Sequence, residues 1–329
     1  MSINVKNISK SFTSFKREAG LKGAFQSFIN RKYETFHALE DINLNVDSGE
    51  IVGILGENGA GKTTLIKLMV GLLYPSEGSI EIDGYIPWER RNQFLKQVSV
   101  VMGQKNQLWW DIPASESFLL NQKIYEIPHK EYKKTLDELV QLLNVEDKLN
   151  VQVRRLSLGE RMKMEIIASL LHKPKFILLD EPTIGLDVIS QSKIREFIKF
   201  YNQEHNSTFL LTSHYMNDIQ ALCDRVFVIH KGKGLYDGKF NSLVNKIKPQ
   251  KKLIFEFTKR PEESVITELQ EDFKFNLIKN VVTAQLPDKQ LTKLLGSLFK
   301  INDPITFSVE ELPVEDTMKT FFSNPEKFL

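Results

Sequence analysis

Apolar and polar residues alternate at the start of the chain, with Ile3, Val5 and Ile8 recurring through residues 2–11, which predicts a strand. Asp41-Ile42-Asn43-Leu44-Asn45-Val46 alternates strictly and ends in the turn residues Asp47-Ser48-Gly49, and Ser79 to Gly84 repeats the pattern. Ile51–Leu55, Phe176–Leu179 and Phe209–Leu211 are short apolar runs, as expected of buried strands. Helical spacing takes over in residues 115–150 (Tyr132, Leu136, Leu139, Leu142, Leu143) and again at Met162, Ile166, Ile167, Leu170 and Leu171. Residues 13–35 read as an insertion. Leu21, Ala24, Phe25, Phe28 and Ile29 fall at helical spacing among Lys16, Arg17, Lys22, Arg31 and Lys32, the pattern of a short basic amphipathic helix. Its basic face is either solvated or set against a membrane surface or membrane partner.

Past Asp237-Gly238 the pattern changes. Lys252–Phe257 predicts a strand, residues 262–273 a helix, Phe275 to Leu286 a hairpin around Lys279-Asn280, residues 288–300 a helix and Ile305–Val309 a strand. This is a small α+β domain over residues 239–329, with no catalytic cluster in it.

Composition narrows the class. With 329 residues, 41% hydrophobic and 26% charged, the chain is long enough for one large domain and one smaller. A net charge of +2 gives no field that argues for a nucleic-acid partner. The single cysteine, Cys223, cannot form an intrachain disulfide and is expected to pack as a small apolar residue. Met1 to Lys6 lacks the apolar stretch of a signal peptide, and no run reaches the ~18 apolar residues that span a bilayer. The expected setting is cytosolic, or bound to a membrane through something else.

The chemistry is concentrated in two motifs. Gly56-Glu57-Asn58-Gly59-Ala60-Gly61-Lys62-Thr63-Thr64 lies between the strand Ile51–Leu55 and a helix beginning near Leu65. Strand, glycine-rich turn and helix together make a phosphate cradle: backbone N–H groups converge on an anion, and the helix dipole adds its positive end. Lys62 reaches the outer phosphates of a nucleoside triphosphate, and the Thr63 hydroxyl serves Mg²⁺. The strand Phe176–Leu179 ends in Asp180-Glu181. Asp180 is placed to hold Mg²⁺ through its water shell, and Glu181 to orient an attacking water as general base. These two motifs also fit a small-molecule kinase or a GTPase.

Leu156-Ser157-Leu158-Gly159-Glu160, followed by an amphipathic helix, separates those possibilities. Here the chain resembles the ATP-binding cassette (ABC) family, whose signature Leu-Ser-Gly-Gly-Gln precedes the second acidic motif at about this distance. Leu158 and Glu160 depart from that signature. The resemblance covers most of residues 1–238. It implies a P-loop NTPase of the α/β class, a RecA-like core with an antiparallel β subdomain and a helical insert at about residues 105–165, followed by the C-terminal α+β domain. It also implies that Ser157, Gly159 and Glu160 form a turn that caps the γ-phosphate of ATP held by a second copy. Gln104 then joins the Mg²⁺ shell, Asp187 in Gly185-Leu186-Asp187 supports the partner's site, and His214 is the switch histidine on the γ-phosphate. An aromatic ring stacks on adenine; Phe12 holds the matching place, and the insertion leaves Tyr33 and Phe36 open. Trp109 and Trp110 lie where the family receives a membrane subunit, and they are either interface anchors or core.

The resemblance thus implies an ATPase subunit, with ATP and Mg²⁺, that forms a homodimer. It drives a separate membrane permease, of an exporter, from the cytoplasmic face of the membrane. The alternatives are a soluble ABC ATPase and an ATP-sensing regulatory module.

Overall fold

The computed structural model describes residues 2–15, 33–103, 106–213, 215–247 and 251–328. The chain divides into two compact units, residues 1–240 and 241–329.

In the first unit, β1 (Ile3–Phe15), β2 (Tyr33–Val46), β3 (Ile51–Leu55), α1 (Lys62–Met69), β4 (Glu77–Ile82) and β5 (Val98–Met102) follow in order. Two helices come next, α2 (Ala114–Ile124) and α3 (His129–Leu143), then α4 (Leu158–Leu170). The unit closes with β6 (Phe176–Asp180), α5 (Val188–His205), β7 (Thr208–Thr212), α6 (Met216–Leu222), β8 (Arg225–His230) and β9 (Lys233–Lys239).

The apolar runs form the centre of a six-stranded sheet in the order β5-β6-β7-β3-β8-β9, parallel except for the β8–β9 pair. Strands buried on both faces need no alternation, which is why β6 and β7 read as continuous apolar segments. The alternating segments form the second sheet, an antiparallel β2-β1-β4. One face is inward: Ile3, Val5, Ile42, Leu44, Ile80 and Ile82 share a core with Val52, Ile54, Leu65 and Leu68. Each such side chain contributes ~1.5–3 kcal/mol on burial. Cys223 is buried as expected, and burial pushes its thiol pKa well above the ordinary value.

The stretch expected to be an insertion is partly strand. β1 and β2 stay paired to Phe15 and Tyr33, through Thr13↔Thr35 and Ser14↔Glu34, so residues 13–15 and 33–35 belong to the ribbon. Threonine and aromatic side chains favour the pleated conformation, and this local preference extends the pair. The amphipathic helix expected around Leu21–Ile29 lies outside the described residues.

The second unit is a four-stranded antiparallel sheet, β11-β12-β10-β13. Its strands are β10 (Lys251–Phe257), β11 (Phe275–Ile278), β12 (Val281–Leu286) and β13 (Pro304–Glu311), interleaved with α7 (Glu263–Asp272) and α8 (Asp288–Ile301). The hairpin turns at Lys279, whose φ of 57° is the left-handed value that a two-residue turn requires. Leu253, Phe255 and Phe257 alternate inward against Leu291, Leu294 and Leu298.

Parallel register decides where chemistry can sit in the first unit. Met102 pairs with Asp180, Asp180 with Thr212, and Thr212 with Ile54, so the ends of four strands and the loops after them meet along one edge.

Candidate functional site

The phosphate loop leaves that edge at the end of β3. Gly59 and Gly61 have φ of 81° and 112°, and a Cβ on Gly61 would lie 2.5 Å from Leu39 Cδ2 and 2.7 Å from the Ala38 carbonyl oxygen. Only glycine fits there. Gly61 is also the residue that precedes α1, and no side chain caps that helix. Its first N–H groups therefore remain in the loop, where an anion can meet them.

Lys62 is almost buried. Its Nζ donates to the carbonyls of Gly56 (2.7 Å) and Glu57 (3.1 Å). Burial lowers its pKa, while the charges of Glu181, Asp180 and Glu57 act in the opposite sense. Asp180 is oriented by Thr212, whose Oγ1 donates to Oδ1 at 2.6 Å, and its Oδ2 lies 3.5 Å from the Thr63 hydroxyl. A carboxylate and a hydroxyl at that separation suit a hydrated magnesium ion. Glu181 takes the unusual φ of 58°, held by its N–H to the Thr212 carbonyl and hydroxyl, both at 3.1 Å. Strained backbone of this kind, fixed from outside, often marks working residues. A Cβ on Gly103 would come within 2.3 Å of the Glu181 carbonyl oxygen, so the loop after β5 passes directly beneath.

These groups line one cavity of about 250 Å³, bordered by Glu57 to Gly59, Gly61 to Thr64, Glu181, Ala38 and Phe36. The aromatic at its rim is Phe36, one of the three rings that the resemblance leaves open for adenine. Phe12 pairs with Phe36 across the ribbon and shares its face, with Lys10 Nζ 5.1 Å from its ring centroid. Tyr33 is an odd number of residues away and falls on the opposite face of β2. Gln104 and His214 lie outside the described residues.

The signature turn is a separate construction. Ser157 caps α4 by accepting the Glu160 N–H (3.2 Å), and the Glu160 carboxylate accepts the Ser157 N–H (2.8 Å), a reciprocal capping box. The departures from the family pattern are thereby explained. Leu158 opens the helix and needs no special backbone angle, and Glu160 replaces glutamine in a position either acceptor can fill. A Cβ on Gly159 would lie 2.6 Å from Ser190 Oγ, so a larger residue there would push the Ser190 hydroxyl away from Asp187. Asp187, expected to serve a partner, caps α5 through Ser190 N (2.9 Å) and Ser190 Oγ (2.6 Å), which lowers its pKa. The signature turn and Asp187 therefore adjoin each other, and neither lines the phosphate-loop cavity.

Trp109 and Trp110 are 60% and 46% exposed, which removes the core alternative. A groove of about 420 Å³ opens nearby, lined by Leu72, Leu95, Val100, Gln107, Ile124 and Tyr125. Among the described residues no helix is long and apolar enough to cross a membrane.

Sequence reasoning missed three residues. Thr212 follows directly on the apolar run Phe209–Leu211 and carries no motif of its own. Glu165 and Asp218 are acids on buried helix faces, the one signal that could have revealed them. Asp218 accepts from the Thr183 hydroxyl, the Ser213 hydroxyl (2.8 Å) and Arg195 Nη1 (2.8 Å).

The ABC transporter family profile matches residues 39–184. The chain is 38% identical over 212 residues to the ABC transporter ATP-binding protein NatA of Bacillus subtilis, covering 64% of this chain and 86% of NatA. It is 33% identical over 240 residues to the bacitracin transport ATP-binding protein BcrA of Bacillus licheniformis, 73% and 76% of the two chains. It is 31% identical over 283 residues to the methionine import ATP-binding protein MetN 2 of Enterococcus faecalis, 84% and 79%. Among solved structures, the ATP-binding cassette MJ0796, a dimer in a post-hydrolysis state bound to ADP and Pi, superposes with a TM-score of 0.59 at 25% identity. That superposition covers 72% of this chain and 98% of that one.

Proposed function

Because the chain belongs to the ATP-binding subunits of ABC transporters, we propose that two copies close face to face on two ATP molecules and drive a separate membrane permease. The observation that carries this reading is the single cavity in which the phosphate loop, Lys62, Thr63 and Glu181 meet, with Asp180 beside Thr63. ATP lies with its phosphates along residues 56–64 and its adenine against Phe36. Lys62 turns from the loop carbonyls to the outer phosphates, a short move for a side chain already desolvated and lying in the loop.

Thr63 and Asp180 are the residues that hold Mg²⁺, which supplies positive charge against the phosphate oxygens. Glu181 accepts a proton from the water that attacks the γ-phosphorus. The bond to the β–γ bridging oxygen breaks, leaving ADP and phosphate. Gln104 and His214 keep the roles that the family resemblance implies. Ser157 and the N-terminal turn of α4 in the second copy cap the γ-phosphate, so hydrolysis removes the group that joins the halves.

The permease docks on the Trp109–Trp110 surface and the neighbouring groove and tethers this subunit to the cytoplasmic face of the membrane. We assign the cycle to export. The name of the linearmycin resistance ATP-binding protein LnrL of Bacillus subtilis, 31% identical over 219 residues, supports this direction, and that of BcrA says transport without a direction. The MetN 2 name points the other way.

Glu181→Gln tests the core of the reading. It keeps the residue's shape but loses the base, so turnover falls by a factor of about 10²–10⁴. ATP binding persists and sizing chromatography with ATP detects a dimer. A chain that stays monomeric under those conditions would refute the two-copy site.

A further inference from the structure

The signature helix carries a buried acid that no motif explains. Glu165 is 3% exposed, and its carboxylate accepts the N–H groups of Gln107 (3.1 Å to each oxygen) and Leu108 (3.3 Å). Burial raises its pKa, and the two amides and the Arg161 charge partly oppose the shift. A carboxylate among apolar residues is costly unless it is hydrogen-bonded, and an alanine would satisfy the helix alone. What the charge secures is the non-helical segment leading to the tryptophans.

That segment is tied once more to the same helix and twice to the residue Arg154 before it. The Arg161 guanidinium lies over the Trp110 ring, 5.3 Å from its centroid. Arg154, just before the signature, donates its N–H to the Trp110 carbonyl (3.0 Å) and pairs with Asp111 (3.1 Å). Leu108 is buried while both tryptophans face outward. Ser157, Arg161 and Glu165 recur at a spacing of four, on successive turns along one side of α4. A continuous stripe therefore runs from the signature serine to the backbone under the tryptophans.

We propose that Glu165 and Arg161 are positioning residues that make the signature turn and the Trp109–Trp110 surface a single moving part, so that engagement of Ser157 by nucleotide shifts the tryptophan face. The inference rests on the two-copy reading above. Packing alone would let the loop slide over the helix; two amide N–H groups donating to a buried carboxylate and a guanidinium over the Trp110 ring fix both its height and its rotation.

The test uses the full chain with Trp88→Phe and Glu181→Gln, so that Trp109 and Trp110 are the only tryptophans. Their emission is recorded with and without ATP, alongside sizing chromatography and titration with a fluorescent ATP analogue. ATP is expected to change the emission of this parent. Glu165→Gln and Arg161→Ala should each lose most of that change, since each removes one tie between the segment and α4. Nucleotide affinity should stay within about twofold and the dimer should persist, which a merely destabilised fold would not allow. A dimer whose variants keep the full change, or whose parent shows none, overturns the relay alone. A parent that fails to dimerise with ATP overturns the two-copy reading and the relay with it. If Glu165→Gln does not fold, Arg161→Ala, at a half-buried position, decides the matter, read as the change that ATP produces relative to that variant's own nucleotide-free emission, because Arg161 itself lies over Trp110.

Discussion

Two helix N-termini in this molecule are assigned to the same nucleotide, and they are built in opposite ways. α1 starts at a glycine in the left-handed region and has no side-chain cap. α4 starts at a serine in an ordinary extended conformation, and its capping box is complete. An uncapped N-terminus is a poor way to begin a helix unless an anion completes it. A capped one is stable by itself and offers a ligand only its remaining N–H groups and a hydroxyl proton. On the proposed two-copy reading, the first is a binding site in a single copy, and the second a surface that becomes a site when a phosphate is brought to it. This fits a subunit in which nucleotide binds before two copies close.

The comparison can be broken most directly at α1. Lys62→Ala should weaken ATP binding by about 100-fold, the ~3 kcal/mol of a desolvated charged hydrogen bond, as read by fluorescent-nucleotide titration. An unchanged affinity would mean that the loop is merely a turn. At α4 the sharper variant is Ser157→Asp. Aspartate caps a helix as well as serine does, so the melting temperature should hold. If Ser157 meets a phosphate, the added negative charge should cost on the order of 2 kcal/mol, or about 30-fold, in turnover. Equal turnover would leave Ser157 as a cap alone.

The smallest effect concerns Glu160. The Ser157 N–H, chiefly, holds its carboxyl below the ordinary range. Its stabilisation is full above the pKa of an unfolded glutamate and is lost as pH falls through the lower folded value. Melting between about pH 7 and about pH 3 should show this as about 1 kcal/mol, and Glu160→Gln should flatten that part of the profile.

Much of this could be read from the residues. The alternation at Asp41–Val46 and the apolar runs at Phe176 and Phe209 announced one-faced and two-faced strands, because burial on one side or both imposes those periods. The phosphate loop announced itself because its glycines are dictated by backbone geometry, which leaves a local trace. Other features depend on what meets across space. The place of Phe36 at the cavity rim depends on how β2 meets the phosphate loop, which no single segment encodes. The ribbon's length was obscured by basic residues that begin at Lys16. Glu165 was hidden inside a helical run whose apolar neighbours satisfied the expected pattern, and its partners are 57 and 58 residues earlier in the chain.

The buried Asp218 has a consequence for how this ATPase can vary. One carboxylate holds Thr183 in the loop after Glu181, Ser213 at the end of β7, and Arg195 two turns into α5. Change either hydroxyl and the buried carboxylate loses a hydrogen bond; change Arg195 and it loses its counter-charge. These segments are therefore free to diverge only in concert, and a subunit with altered turnover is easier to reach through the rim of the cavity than through this junction.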